Sequence, residues 1–171
     1  MSPDGTLERT GDGGVIRFER QLAFAIDEVW DAITNPSRLA EWWLPMDADI
    51  TVDLRVGGSI EFLLTGEEGT TITCEILRLD APTLLEHTHV DPGAVMRWEL
   101  APTSTGCTLR LSHFVPDSGV AIEKCYLVGL HESLERLAPC LDGAPVAWDW
   151  NRLGEAQARY AAKGLAAPVA I

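Results

Sequence analysis

Hydrophobic and polar residues alternate over several short stretches of the chain, which is the pattern of half-buried β-strands. In residues 15–22, Ile16 and Phe18 alternate with Arg17 and Glu19. Six further strands are predicted, over residues 50–56, 59–64, 70–79, 83–90, 94–100 and 107–114. Because the turns between these strands are too short to contain crossover helices, we predict that the sheet is an antiparallel meander.

Two short helices are predicted after the first strand. Asp27 has a side chain suited to an N-terminal cap, and Trp30 and Ile33 then fall on one helical face. This helix is expected to end near Asn35-Pro36, because a proline cannot continue it. A second helix is predicted over residues 37–43.

A long helix is predicted over residues 120–141, which would extend about 33 Å at 1.5 Å per residue. Its apolar stripe consists of Ile122, Tyr126, Leu130, Leu134, Leu137 and Leu141. The opposite side carries Lys124, Glu132, Glu135 and Arg136. Gly129 costs about 1 kcal/mol relative to alanine inside a helix, and we interpret it as a point where the helix approaches a neighbour closely. One more helix is predicted over residues 151–163.

Composition and charge exclude several classes of protein. The chain has 171 residues, of which 46% are hydrophobic and 23% charged, as in one folded domain. Its net charge of −13 repels phosphates and anionic headgroups, so neither a nucleic acid nor a membrane is expected as a partner. The first residues lack the features of a signal peptide, which predicts a cytoplasmic location. The four cysteines form no Cys-x-x-Cys pair, which indicates free thiols.

The order of the predicted elements resembles that of a known superfamily. The segments that carry the resemblance are residues 18–22, 29–36, 41–43, 57–62, 82–88, 97–100, 108–113 and 129–134. Over about residues 15–141, the chain is similar to the START-related (SRPBCC, Bet v 1-like) superfamily, and within it to bacterial domains homologous to the activator of Hsp90 ATPase. The resemblance implies an α+β helix-grip fold. In this fold a curved antiparallel sheet of six or seven strands wraps around the long C-terminal helix, and two short helices follow strand 1.

We expect the chain to divide into three parts. Residues 1–14 would be a flexible N-terminal segment, residues 15–143 the helix-grip domain, and residues 144–171 a tail whose short helix packs on the domain. The superfamily uses a cavity between sheet and long helix for hydrophobic small molecules. It implies no catalytic motif and no cofactor, because it includes lipid carriers, hormone receptors, polyketide cyclases and chaperone activators.

The candidate ligand contacts are side chains expected to point from the sheet and the short helices toward the long helix, together with residues of that helix. They are Trp42, Trp43, Ile60, Phe62, Ile72, Cys74, Leu85, His87, His89, Met96, Trp98, Leu109, Leu111, His113, Tyr126 and Leu130. No metal is expected, because no carboxylate shares the face of His87 and His89 at a ligand spacing.

Polar residues are expected to gather at one edge of the sheet, beside the start of the long helix. His89 and His113 would lie there about 10 Å apart across one intervening strand. Glu123, His113 and Tyr126 are the candidates for proton transfer, with Tyr126 orienting a ligand carbonyl. The structural alternative is a carboxylate favoured by the helix dipole, with a tyrosine and histidines filling polar corners.

The function predicted from the sequence is the binding of a small hydrophobic or amphipathic molecule between sheet and long helix. One alternative is a cyclase- or dehydratase-like enzyme that uses Glu123, a histidine and Tyr126. Another is a module that contacts a chaperone or another protein, and a weak homodimer is also considered.

Overall fold

Strands form where the chain alternates between apolar and polar residues, and the computed structural model describes this arrangement for residues 3–66 and 69–170. The strands are β1 (Thr6–Thr10), β2 (Gly13–Leu22), β3 (Ala48–Val52), β4 (Ser59–Leu64), β5 (Thr71–Asp80), β6 (Leu84–Thr88), β7 (Val95–Thr103) and β8 (Gly106–Val115). All neighbouring strands pair antiparallel in a single curved sheet of order β1-β2-β8-β7-β6-β5-β4-β3. The predicted meander is confirmed from β3 to β8, and β2 pairs with β8 at its end.

The sheet has eight strands in the described residues, where six or seven were predicted. The additional strand is β1, which pairs with β2 and lies within the segment predicted to be flexible. Four of its five residues are exposed, so it lacks the alternation that marks a half-buried strand. Residues 1 and 2 of that segment, and residue 171 of the tail, lie outside the described residues.

Five helices accompany the sheet in the described part of the chain. They are α1 (Ile26–Thr34), α2 (Pro36–Trp42), α3 (Ser118–Glu123), α4 (Tyr126–Leu141) and α5 (Trp150–Ala162). Asp27 does not cap α1 as predicted, because that helix begins two residues earlier, with Ala25 at the N-cap position. The Glu28 side chain accepts a hydrogen bond from the Ala25 backbone N–H. The side chain of Asn35 caps α2, and Pro36 occupies its first position.

The long C-terminal helix is interrupted, which corrects the prediction of one helix over residues 120–141. Cys125 adopts a left-handed backbone conformation, with φ of 56°, and separates α3 from α4. Helix α4 therefore has 16 residues and a length of about 24 Å. The turn also breaks the helical phase, so that residues before Cys125 do not continue the apolar stripe of α4.

The face of α4 that was predicted to be polar is covered by the C-terminal tail. Helix α5 packs against α4, and its Tyr160 is completely buried. Glu132 is consequently only 1% exposed, and Arg136, which also contacts the segment after α2, is 6% exposed, although both were assigned to the solvent side. Arg152 of α5 compensates the Glu132 carboxylate, with nitrogen–oxygen distances of 2.6 and 2.7 Å.

Among the described residues, no helix has both the length and the apolar composition that crossing a bilayer requires. All four cysteines are free, and all but Cys125 are buried.

Candidate functional site

A cavity of about 290 Å³ lies between the sheet and helix α4. Seven of the predicted ligand contacts line it: Trp43, Phe62, Ile72, His89, His113, Tyr126 and Leu130. Four others line an adjacent void of about 20 Å³, together with Trp43, Phe62 and His89: Ile60, Cys74, His87 and Trp98. A void of that size has room for about one water molecule.

The remaining five predicted contacts line neither space and pack in the hydrophobic core. They are Trp42, Leu85, Met96, Leu109 and Leu111. Their side chains point inward as predicted, but the interior around them is filled by the first two helices and the tryptophans. Trp42 lies edge-on to Trp98, with ring centroids 6.1 Å apart, and its indole N–H donates to the Ala32 carbonyl at 2.9 Å. The alternation of a strand shows which face is buried, but not where along that face space remains.

Helix α4 holds the segment that carries Trp43 in place. The Arg136 guanidinium donates to the carbonyl oxygens of Trp42 and Leu44, at 2.9 and 2.8 Å. The Ser133 hydroxyl donates to the Trp43 carbonyl at 2.9 Å. These carbonyls lie at and just beyond the C-terminal end of α2, where helical hydrogen bonds are missing and a positive charge is favourable. One wall of the cavity is thereby fixed to the helix opposite the sheet.

His87 lies beside the inner void and is fully paired. The Trp98 indole N–H donates to His87 Nε2 at 3.0 Å, so Nε2 acts as an acceptor. His87 Nδ1 lies 2.7 Å from the Thr88 carbonyl and must therefore carry the proton. Burial lowers the pKa of His87, and the ring is a neutral structural group of the core.

His89 and His113 face the main cavity, and their environment differs from that of His87. Strands β6 and β8 are separated by one strand, as predicted, and the two side chains converge so that their ring centroids lie 5.0 Å apart. His89 follows the last residue of β6, so its ring can lean toward β8. Burial lowers the pKa of His89 to about 3 and that of His113 to about 4. Both rings are therefore neutral at physiological pH.

Tyr126, Asp91 and Lys124 form a polar group beside the two histidines. The Tyr126 hydroxyl donates to Asp91 Oδ2, and Lys124 Nζ lies 3.4 Å from Asp91 Oδ1. The Tyr126 ring stacks on His113 with centroids 5.6 Å apart. Burial, and then the hydrogen bond to Asp91, raise the pKa of Tyr126, while the Tyr126 hydroxyl lowers the pKa of Asp91. Tyr126 is thus a stable hydrogen-bond donor in its protonated form.

Glu123 does not join this group, which corrects its predicted place at the cavity mouth. It lies exposed at the end of α3 and does not line the cavity. The reason is the turn at Cys125, which separates the phase of α3 from that of α4. Without Glu123, the neutral histidines and the Asp91-bound Tyr126 are better suited to hold a ligand than to accept a proton from one.

The prediction from sequence missed eight cavity residues: Leu44, Pro45, Val90, Lys124, Cys125, Gly129, Ser133 and Trp148. Gly129 and Ser133 could have been found, because they share with Tyr126 and Leu130 the spacing of one helical face. Gly129 also differs from its interpretation as a close contact, since a Cβ atom built there meets no atom within 4 Å. Asp91 could also have been predicted, because it is a carboxylate only two residues after His89. Trp148 could not, because it reaches the cavity from the C-terminal tail.

Within the described residues, no three His, Cys, Asp or Glu side chains come together in a way that could hold a metal ion.

Known proteins share this architecture. CalU16 from Micromonospora echinospora is 25% identical with a TM-score of 0.72, over 95% of this chain and 98% of that one. A conserved protein of unknown function, EF2215 from Enterococcus faecalis, shares the fold at 17% identity with a TM-score of 0.76, over 93% of this chain and 89% of that one. The AHSA1-like protein from Aeromonas hydrophila is 21% identical with a TM-score of 0.63, over 76% of this chain and 93% of that one.

A comparison with curated proteins finds no match. A family model described as "Activator of Hsp90 ATPase homolog 1-like protein" matches residues 23–142, which are 120 of the 171 residues. The matched region contains the first two helices, strands β3 to β8 and helix α4, so the model and the solved structures confirm the resemblance and the helix-grip fold. The chain therefore belongs to the family of activator of Hsp90 ATPase homolog 1-like proteins.

Proposed function

We propose that the protein binds a small, largely apolar molecule in the cavity between the sheet and helix α4. The observation that carries this proposal is the cavity itself, because about 290 Å³ is left open between the sheet and helix α4. This volume is close to the lower end of the range of small-molecule sites, about 300–1,000 Å³.

The character of the walls supports the same conclusion. Aromatic side chains contribute much of the surface, and a few polar groups converge on one side of it. This combination is typical of sites in which apolar contact provides affinity and a few polar atoms fix the orientation of the ligand.

Gly129 provides a direct test, since it lies on the cavity wall and has open space where a side chain would be. The variant Gly129→Leu fills the cavity and removes the cost of a glycine inside a helix, about 1 kcal/mol, so it is expected to fold well. The probe is N-phenyl-1-naphthylamine, a neutral dye whose fluorescence rises in apolar surroundings. We expect it to bind the unmodified protein and to bind Gly129→Leu at least tenfold more weakly.

The matched control is Gly154→Leu in helix α5. Gly154 also has no atom within 4 Å of a built Cβ, but it does not line the cavity. This variant should bind the dye as the unmodified protein does. Equal binding by all three proteins would place the dye elsewhere, and no binding by the unmodified protein would contradict the proposal.

The enzymatic and chaperone alternatives make other demands. A cyclase- or dehydratase-like reaction needs a group that exchanges protons near neutral pH beside the ligand, and Glu123 lies outside the cavity. A chaperone contact needs an exposed apolar surface, and the same Gly129→Leu variant should leave such a contact unchanged. The cavity-filling variant therefore distinguishes ligand binding from protein binding.

A further inference from the structure

The cavity contains buried polar atoms that have no partner in the protein. In the described part of the chain, five buried side-chain nitrogens make no hydrogen bond, and four of them belong to residues that line the cavity. These four are Nδ1 of His89, Nδ1 and Nε2 of His113, and Nε1 of Trp148. Unpaired polar atoms are unfavourable in a buried place, so their concentration here points to a partner that is not part of the chain.

The comparison with His87 shows that position on the sheet is not the cause. His87 and His113 are both paired in register with Met96 of β7, and their side chains face the same interior. Both nitrogens of His87 are bonded, whereas neither nitrogen of the 1% exposed His113 is. The difference coincides with the space that each ring meets, because only His113 lines the main cavity.

The neutral state of the two rings determines which chemical group can satisfy them. A neutral imidazole presents one N–H donor and one acceptor nitrogen. The rings of His89 and His113 are in edge-to-face contact, with centroids 5.0 Å apart, so a group in the cavity beside both rings can meet both kinds of atom. A hydroxyl can donate to one ring and accept from the other, or from the Trp148 indole N–H. A carboxylate can only accept hydrogen bonds, so it suits this place less well. Lys124, which also lines the cavity, already lies 3.4 Å from Asp91.

The walls determine the body of the molecule that carries this group. Four aromatic residues line the cavity: Trp43, Phe62, Tyr126 and Trp148. Gly129 leaves open space on the helix side, because a Cβ atom built there meets no atom within 4 Å. Aromatic rings pack favourably against each other in stacked or edge-on arrangements, so a flat aromatic body fits these walls.

We propose that the ligand of this cavity is an aromatic molecule with a neutral hydroxyl group, which His113 and His89 hold by hydrogen bonds. The inference rests on the proposed function, because it names the class of ligand for the same cavity.

Three two-ring compounds test this inference: naphthalene has no polar group, 2-naphthol carries a neutral hydroxyl, and 2-naphthoate carries a carboxylate. Their dissociation constants are measured near pH 7 by tryptophan fluorescence, for the unmodified protein and for His113→Phe. We expect 2-naphthol to bind the unmodified protein most tightly. The ratio of its affinity to that of naphthalene should fall at least tenfold in His113→Phe, since the variant keeps a flat ring but loses both nitrogens.

The possible outcomes separate this inference from the proposed function. If naphthalene and 2-naphthol bind equally well to both proteins, the cavity binds apolar molecules but the hydroxyl assignment is wrong. Tightest binding of 2-naphthoate would also overturn it, in favour of an anionic ligand. If N-phenyl-1-naphthylamine binds and none of the three compounds does, this inference alone fails. If that dye fails as well, the proposed function fails with it.

A second measurement does not depend on a variant. In protein labelled with ¹⁵N histidine, the ring nitrogen resonances of His113 report directly on their hydrogen bonds. They should shift on addition of 2-naphthol and move much less with naphthalene, while those of His87 stay in place with either compound. Unchanged His113 resonances at saturating 2-naphthol would overturn the assignment.

Discussion

Burial lowers the pKa of all four histidines of this chain, and this links single residues to the pH dependence of stability. An unfolded histidine titrates near pH 6.5, whereas His89 and His113 titrate in the folded protein at about 3 and 4. Between these values the unfolded chain binds more protons than the folded chain. The contribution of these histidines to the free energy of unfolding is therefore fully present above about pH 6.5, and it decreases as the pH falls toward 4.

Replacing His113 should flatten this dependence. In His113→Phe one group with a lowered pKa is gone, so the slope of unfolding free energy against pH should decrease by up to about 1.4 kcal/mol per pH unit between about pH 6 and pH 4.5. The charged or titratable groups around it, His87, His89 and Asp91, remain. Urea denaturation at several pH values measures the slope.

The matched control is Tyr126→Phe, which changes the wall that stacks on His113 but removes no histidine. Between about pH 6 and pH 4.5 its slope should equal that of the unmodified protein, because the loss of the Tyr126 hydroxyl acts on the pKa of Asp91, whose ordinary value of 3.8 lies below this range. A slope for His113→Phe that also stays unchanged would mean that His113 titrates normally in the folded protein.

At the level of elements, the junction between α3 and α4 determines what reaches the cavity. Cys125 has a φ of 56°, a conformation that costs a residue with a side chain about 1–2 kcal/mol and glycine almost nothing. The turn directs Tyr126 to the cavity and leaves Glu123 outside it. A helical wheel drawn through residues 120–141 assumes one continuous phase, and for that reason it placed Glu123 wrongly.

The variant Cys125→Gly should make the protein more stable, by about 0.5–1 kcal/mol after the greater flexibility of glycine in the unfolded chain is taken into account. Cys125→Ala removes the same thiol but keeps the backbone strain, so it should not show this gain. Chemical denaturation compares the three proteins. If the alanine variant is stabilised as much as the glycine variant, the thiol and not the backbone is responsible.

At the level of the whole molecule, the segment just before β1 meets helix α5 beside α4. The buried Tyr160 hydroxyl accepts a hydrogen bond from the Gly5 N–H at 2.8 Å and lies 2.9 Å from His131 Nδ1. Asp4 pairs with Arg159, which together with Lys163 lowers the Asp4 pKa to about 2. The first strand and the last helix are therefore parts of the folded domain.

Removal of one hydroxyl should weaken this connection. In Tyr160→Phe the Gly5 N–H and His131 Nδ1 lose their partner in a buried place, which should reduce the free energy of unfolding by about 2 kcal/mol. Amide hydrogen exchange should also become faster in β1, since its attachment is loosened. The control is Tyr126→Phe, at the only other tyrosine of the chain. It should lose less stability, because Asp91, the partner of the Tyr126 hydroxyl, keeps its ion pair with Lys124. If both variants lose the same unfolding free energy, the hydrogen bonds of Tyr160 contribute no more to stability than that of Tyr126, and the prediction is wrong.

The sequence predicted the strands more accurately than it predicted the residues of the site. Strands β2 and β4 to β8 were found within a few residues, because their alternation is local and one face of each is buried. Strand β1 was missed, because it is mostly exposed and its pairing with β2 is visible only in the fold. Glu132 and Arg136 were assigned to solvent, because the tail that covers Glu132 and the segment after α2 that covers Arg136 are distant in the chain, and no local pattern reveals their position.

Local patterns in the sequence were enough to predict the class of fold, the order of its elements and the buried face of most strands, because these depend on periodicity and on turn residues a few positions apart. It also brought His89, His113 and Tyr126 to one site, since strand direction and connectivity follow from the same local signals. Three features are visible only in the tertiary structure: which inward-facing residues meet open space, the exclusion of Glu123, and the place of Trp148 in the wall. These features depend on the backbone of one residue, Cys125, and on the packing of distant segments, neither of which leaves a periodic mark in the chain.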